Sequence, residues 1–300
     1  MKLLKLIFLL FFITCGRSFD KQEKEILTTI LNTKQEIESL KADNKALCAD
    51  KKCLFLAFWD FDGTILKGDC SEGLKEKDKE VFKGLVELGI LKGYAKDYKG
   101  EEGVNAFWKK YQELEAIDKK VAYVFLPKIF EGNDESVMQN LAKEHFKETL
   151  QKYYFPSSIR ILEKLKEVGV QSYIISASAT FFVKGSVGTT PVSPDSIYGI
   201  EMKIENGKIL PTEIPPVTYA EGKREKIQQI VENILKEKKA DKVFVLAGFG
   251  NSYHTDSAFL KYIAEQKLEA GKPISVMVNG GESPAEFKGL FKEVSFDVKR

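Results

Sequence analysis

Apolar residues fall along this chain in runs of two kinds. Four runs are short and strongly apolar: residues 53–59 (CLFLAFW), 170–176 (VQSYIIS), 243–247 (VFVLA) and 274–278 (ISVMV). Such runs suit strands of a parallel sheet covered on both faces. Between them the spacing becomes helical. Ile227, Ile230, Val231, Ile234 and Leu235 share one helix face, and Pro156 opens a helix through Ile159, Leu162 and Leu165 that ends near Gly169. Strands alternating with helices predict an α/β fold, a Rossmann-like, doubly wound parallel sheet.

Three stretches break the alternation. Residues 68–155 carry a mostly helical pattern rich in aromatics, among them Phe107, Trp108, Tyr111, Tyr123, Phe125, Tyr153 and Tyr154. The stretch is too long for a connection and reads as an inserted helical cap domain. Its rings either form the core of that domain or cage a quaternary ammonium group. In SIYGIEMKIENGKIL, Ile200, Met202 and Ile204 alternate ahead of Asn206-Gly207, a hairpin signal. Residues 20–47 read as one helix. Ile26, Ile30, Ile37, Leu40 and Leu47 follow 4-3 spacing, with Thr33 and Asn44 in the gaps. That pattern suits a short heptad seam through which two copies could associate. It equally suits a helical spacer, lying along the domain or standing off a membrane, and the spacer is preferred over so few heptads.

The first residues, MKLLKLIFLLFFITC, place Lys2 and Lys5 ahead of an apolar run too short to span a bilayer. They read as an export signal. Cys15 resembles the lipidated cysteine of the bacterial lipoprotein lipobox, although Phe12 and Thr14 depart from its usual residues. Cleavage nearby or an uncleaved anchor are the alternatives. The expected organisation is a signal peptide at 1–14, a helical spacer at 15–50, a core domain from 51–67 and 156–300, and the cap at 68–155. The expected location is outside the cytoplasm, tethered to the cell membrane or outer membrane, periplasmic or surface-exposed. In an oxidising compartment Cys48 and Cys53 are close enough to bridge, which leaves Cys70 over; the alternative is that all three stay unpaired.

Lys and Arg total 46 against 44 Asp and Glu, a net charge of +2 with the signs interspersed. That balance gives no electrostatic case for a nucleic-acid partner. An apolar fraction of 43% is enough for a real core.

The chemistry sits where strands end. In a doubly wound sheet ligands bind beyond the carboxyl ends of the strands. Asp60, Asp62 and Thr64 follow the first apolar run, Ser176 and Ala177 close the second, and GFGNSYHTD (248–256) follows the third. Asp60-Phe61-Asp62-Gly63-Thr64 matches the Asp-x-Asp-x-Thr motif of the haloacid dehalogenase superfamily. Ser176 matches its second motif, Lys223 in EGKREKI its third, and GNSYHTD its fourth. The 68–155 insertion lies where that superfamily places a cap. The Gly-Asn-Ser spacing and the Ser176-Ala177-Ser178 run resemble phosphorylcholine phosphatase and phosphoserine-phosphatase-like relatives most.

The resemblance implies a Mg²⁺-dependent phosphomonoesterase acting on a small phosphorylated metabolite, phosphocholine or phosphoethanolamine ahead of sugar phosphates. Asp60 would be the nucleophile that forms an aspartyl-phosphate, and Asp62 the general acid and base. Thr64, Ser176, Ala177 and Lys223 would hold the phosphoryl oxygens. Asp60, Asp62, Asn251 and Asp256 would hold the metal through oxygen. Asn251 stands where the superfamily usually has Asp, so Asp256 is expected to carry more of the metal's charge. Ser178 and Thr180 are candidates for further phosphate contacts, and His254 for a contact to substrate. Two other readings stay open: a non-catalytic surface lipoprotein that keeps the fold and binds a ligand or partner, and a phosphotransferase.

Overall fold

The computed structural model describes residues 19–42, 45–48 and 51–299, so Cys15 and the export segment lie outside it. The chain begins with helix α1 (Lys21–Ser39) and a two-residue antiparallel pair, β1 (Lys41–Ala42) with β2 (Lys45–Ala46). Strand β3 (Cys53–Trp59) follows. The insertion holds a hairpin, β4 (Gly73–Glu76) and β5 (Lys79–Lys83), then α2 (Leu85–Leu91), α3 (Gly100–Glu115), α4 (Lys119–Lys128) and α5 (Glu135–Glu148). The chain continues through α6 (Pro156–Glu167), β6 (Val170–Ala179), α7 (Thr180–Ser186), β7 (Ile197–Glu205), β8 (Lys208–Ile214) and α8 (Glu221–Lys236). It closes with β9 (Lys242–Gly250), α9 (Ser257–Ala264), β10 (Ile274–Val278) and β11 (Lys292–Val294).

Seven strands form one sheet in the order β11-β10-β9-β3-β6-β7-β8. All neighbours are parallel except β8, which returns antiparallel to β7. The β7–β8 turn is Asn206-Gly207, with both residues at positive φ, as a tight hairpin requires. The apolar β3 run is explained by two cores. Phe55, Ala57 and Trp59 pack into the one shared with α1, α6 and the insertion, while Leu56 and Phe58 pack into the one under α8 and α9. Successive side chains therefore enter opposite cores, and none of these five meets water appreciably.

Helix α1 is shorter than its sequence pattern. Asp20 caps it reciprocally with Glu23, and it ends at Ser39 rather than near 47. Ile26, Leu27, Ile30, Thr33 and Ile37 are buried in the chain's own core. The helix thus lies along the domain, and these seam positions have no exposed side chain to offer a second copy. Glu23, fully buried, is held by the Arg160 guanidinium of α6, with Nε at 3.1 and 3.2 Å from its two oxygens. Cys48 and Cys53 are joined in a disulfide, the bridged alternative, and Cys70 is free and buried.

The insertion is stitched to the β7–β8 hairpin by backbone bonds. Glu135 N–H donates to Gly207 O at 2.9 Å, and Ile209 N–H donates to Asn133 O at 3.0 Å. Most of its aromatic rings are core. Phe107 is fully buried and stacks on Phe125 with centroids 5.3 Å apart.

Candidate functional site

The carboxyl end of β3 runs straight into chemistry. Asp60 N–H donates to Phe249 O at 2.7 Å, extending the β3–β9 ladder by one residue, so the strand aims the Asp60 carboxylate. The chain then turns tightly, with the N–H groups of Ile65 and Leu66 donating to Phe61 O. Gly63 is required here. Its φ is +74°, and a Cβ at that position would stand 1.9 Å from Asn251 Nδ2. The Asn251 side chain therefore lies directly on the turn between the two aspartates and Thr64.

Lys223 reaches the same place from the first turn of α8. The preceding loop is tight enough that a Cβ on Gly222 would meet Val217 O at 1.7 Å, and Ala220 is held at φ +48°. Lys223 is 1% exposed, with Nζ donating at 2.6 Å to both Asp60 Oδ1 and Asp256 Oδ1. Burial alone would lower the ammonium's pKa, but Asp256 and Asp60 outweigh it and the net shift is upward. Asp60 is pushed up to about 7 by burial and by Asp256, with Lys223 opposing.

Asp62 is gripped by donors. Its Oδ1 accepts from Cys70 N–H at 2.7 Å, and its Oδ2 accepts from Ser178 Oγ at 2.8 Å and Ser176 Oγ at 3.3 Å. Burial, then Asp69 and Asp60, raise its carboxyl well above the ordinary range. A carboxyl whose pKa is raised in this way is better suited to donating a proton than an ordinary aspartate.

A cavity of about 400 Å³ opens over these groups. Asp60, Asp62, Ala177, Lys223 and Asn251 line it, as expected for residues that meet a ligand. Thr64 and Ser176 do not line it. Both are fully buried, with Thr64 Oγ1 donating to Asp60 Oδ2 at 3.2 Å and Ser176 serving Asp62. Their hydroxyls orient the two aspartates. Ser178 lines the cavity and also fixes Asp62. Thr180 accepts from Gly199 N–H at the start of α7, and His254 is exposed on its loop.

Three cavity residues were not anticipated from the sequence. Asp69, Glu72 and Tyr123 also line it. Asp69 Oδ1 accepts from the N–H groups of Ser71 and Glu72, and burial raises its carboxyl. Glu72 Oε1 accepts from Tyr111 OH at 2.9 Å, and its carboxyl is pushed up to about 7 by burial and by Asp69. Tyr123 packs on Tyr219 with ring centroids 4.9 Å apart. The only sequence signal was the acidic pair in GDCSEG, close after the first motif.

The donor set fits a hard divalent cation. Asp60, Asp62 and Asn251 offer only oxygen to the cavity, apart from the amide nitrogen. One lysine leaves Asp60 raised, so a cation beside it would offset the remaining cost of burial. Asp256, also expected among the ligands, lies behind the residues that line the cavity. Its Oδ1 takes Lys223 and Thr255 Oγ1, and its Oδ2 accepts from the N–H groups of Asn251 and Ser252 at 2.9 and 3.0 Å. It holds the lysine and shapes the loop that carries Asn251. Among the described residues Asp62, Asp69 and Cys70 also bring potential ligand atoms within 4.8 Å of one another. Burial pushes the Cys70 thiol well up.

Comparison with known proteins agrees on the fold. A Bordetella pertussis protein of unknown function superposes with a TM-score of 0.57 at 13% identity, over 82% of this chain and 99% of its own. An Anaerococcus prevotii protein, also functionally unknown, gives 0.54 at 16% identity over 89% and 94%. A probable phosphoserine phosphatase from Vibrio cholerae gives 0.46 at 14% identity over 81% and 60%, too distant to carry an argument. No curated protein matches the chain. The family pattern of haloacid dehalogenase-like hydrolases matches residues 57–261, which span the strand-end aspartates, the lysine and the Asn251 loop, and this chain belongs to that family.

Proposed function

We propose that the protein is a Mg²⁺-dependent phosphomonoesterase, exported and held at a membrane through Cys15. The observation that carries this reading is the pairing at the end of β3. Asp60 is bridged to Asp256 by a buried lysine, and Asp62 stands two residues on with its carboxyl pushed upward.

Asp60 attacks phosphorus, a P–O bond to its carboxylate forms, and the bond to the leaving oxygen breaks. Asp62 gives its proton to that oxygen. The same carboxylate then takes a proton from water as the water's oxygen attacks phosphorus, and the bond to Asp60 breaks to release phosphate. Lys223 and the backbone at Ala177 face the phosphoryl group and counter its charge. Asp60, Asp62 and Asn251 would hold Mg²⁺, which when bound lowers the repulsion between carboxylate and phosphate.

The substrate reading is a small phosphorylated amino alcohol, phosphocholine or phosphoethanolamine. Asp69, Glu72 and the Tyr123 ring also line the cavity, acidic and aromatic groups that would suit a cationic leaving group. Phosphate release should be measured over a panel of phosphomonoesters with Mg²⁺ titrated. Release led by the two amino-alcohol esters and lost in Asp60→Asn is expected. A profile led by sugar phosphates or nucleotides would overturn the substrate. No release from any ester would favour the non-catalytic binder, for which Asn251 is the single supporting feature.

A further inference from the structure

We infer that the rim of the cavity is a membrane-contact surface, and that the protein works with its active-site edge facing the bilayer that anchors it. The inference rests on the anchoring reading of the N-terminal segment and is independent of the phosphatase reading.

The route of α1 decides which edge lies near the anchor. Gln22 Oε1 accepts at 3.1 Å from the N–H of Ser295, just past the carboxyl end of β11. Glu23 is held by Arg160 in the first turns of α6. That helix enters from Phe155, whose N–H donates to Ile65 O beside the β3 turn. Further along α1, Thr33 Oγ1 donates to Lys272 O, ahead of the amino end of β10. Helix α1 thus runs from the carboxyl edge of the sheet to the amino edge. Asp20 stands at the edge where Asp60, Ala177 and Asn251 open onto the cavity. Cys15 is five residues before Asp20, and five residues span at most about 17 Å when fully extended. A bilayer holding Cys15 is therefore confined close to the cavity's edge.

The exposed apolar side chains gather at that edge. Among the described residues five large ones are exposed: three border the segments whose Tyr123 and Tyr219 rings meet, and Ile204 lies on β7 beyond Ile200, which pairs with Ala179 at the carboxyl end of β6. Ile117, 82% exposed, and Val121, 49% exposed, lead into Tyr123 on α4, and Ile214, 42% exposed, closes β8 ahead of Tyr219. Lys128 of α4 pairs with Glu213 of β8 at 2.8 Å, so the two segments form one rim. Leu235 lies at the other end, in the last turn of α8, which runs back toward the amino edge. An apolar rim around a polar mouth, beside a short anchored leader, is suited to shallow insertion among lipid headgroups.

The test is lipid photo-cross-linking of the full chain bound to vesicles of phosphatidylcholine and phosphatidylglycerol carrying an acyl-chain diazirine lipid. Tryptic cleavage after lysines separates the regions. Lipid adducts are expected on residues 111–119, 121–128 and 209–223 as well as on the N-terminal peptide, and not on 227–236, which carries Leu235. Changing Ile117→Ser together with Val121→Ser, at exposed positions, should bring the first two peptides down to the level of 227–236 while the chain still sediments with vesicles. Adducts confined to the N-terminal peptide would overturn the rim and spare the anchor. Absence of all adducts would overturn both, and equal labelling of 227–236 would overturn the orientation. Protein–protein cross-links at the rim in place of lipid adducts would assign it to a second copy and likewise overturn the inference.

Discussion

Replacing Lys223 with methionine keeps the side-chain stem and removes the one cation that bridges Asp60 and Asp256. Both carboxylates are within 2.6 Å of Nζ, and all three groups are almost wholly buried. Breaking a buried pair by removing one partner typically costs about 3–5 kcal/mol, because an uncompensated charge stays behind. In metal-free protein that cost should depend on pH. The wild-type Asp60 carboxyl is raised from 3.8 to about 7. Between those values the folded chain holds a proton that the unfolded chain has released, so stability falls as pH rises from about 4 to 7 and levels off above. Lys223 opposes that rise, so its loss moves the Asp60 carboxyl higher still. The variant should go on losing about 1.4 kcal/mol per pH unit above 7, where the wild type no longer does. The stability gap between the two chains should therefore be larger at pH 8 than at pH 6 by about 1–2 kcal/mol. Urea unfolding in a chelator, followed by Trp fluorescence, measures it, since Trp59 is buried against Phe249. A gap below about 1 kcal/mol, or one of equal size at pH 6 and pH 8, would refute the claim that Lys223 holds Asp60 ionised.

Arg160→Ala should lower urea stability by about 3 kcal/mol, the low end for a broken buried pair because Arg160 keeps some exposure while Glu23 has none. A loss indistinguishable from zero would mean that Glu23 finds another partner. Asn251→Asp should lower the Mg²⁺ concentration that half-saturates phosphate release, since it adds a charge beside Asp60. Unchanged metal dependence would place that side chain outside the coordination shell. Cys15→Ala should move the protein out of the membrane fraction if lipid is the tether, and retention with the N-terminal segment uncleaved would make it an uncleaved anchor.

The central strands were legible because two-sided burial leaves a plain apolar run. β10 matches its run from Ile274 to Val278. β6 and β9 extend past theirs, through Ala177, Ser178 and Ala179 and through Gly248, Phe249 and Gly250, where small residues break the apolar run while the backbone continues extended. The end of α1 was hidden because no glycine or proline marks it, and the 3.6-residue pattern runs on into KADNK. The β4–β5 hairpin was hidden for a related reason. Its turn is Lys77-Asp78, at φ +48° and +62°, where sequence patterns look for glycine. Asp60, Asp62, Lys223 and Asn251 were legible because each follows a strand or opens a helix. Asp69 and Glu72 reach the cavity only because residues 68–73 fold back over the β3 turn, where Cys70 N–H binds Asp62, and no local pattern encodes that.

Those two missed carboxyls change how Asn251 is understood. The site already gathers Asp60, Asp62, Asp69 and Asp256 around a single buried ammonium, and burial or neighbouring carboxyls raise three of them. An aspartate in place of Asn251 would add one more negative charge at the Asp60 end. With an amide there, the cavity carries one negative charge fewer, while Asp69 and Glu72 add acidic groups to its lining. A neutral sugar would bring no counter-charge to those two carboxyls. A quaternary or primary ammonium would supply one. On the proposed substrate reading, Asp69 and Glu72 would be the groups that favour an amino-alcohol phosphate over a sugar phosphate, and substituting both with their amides should narrow that preference without abolishing release.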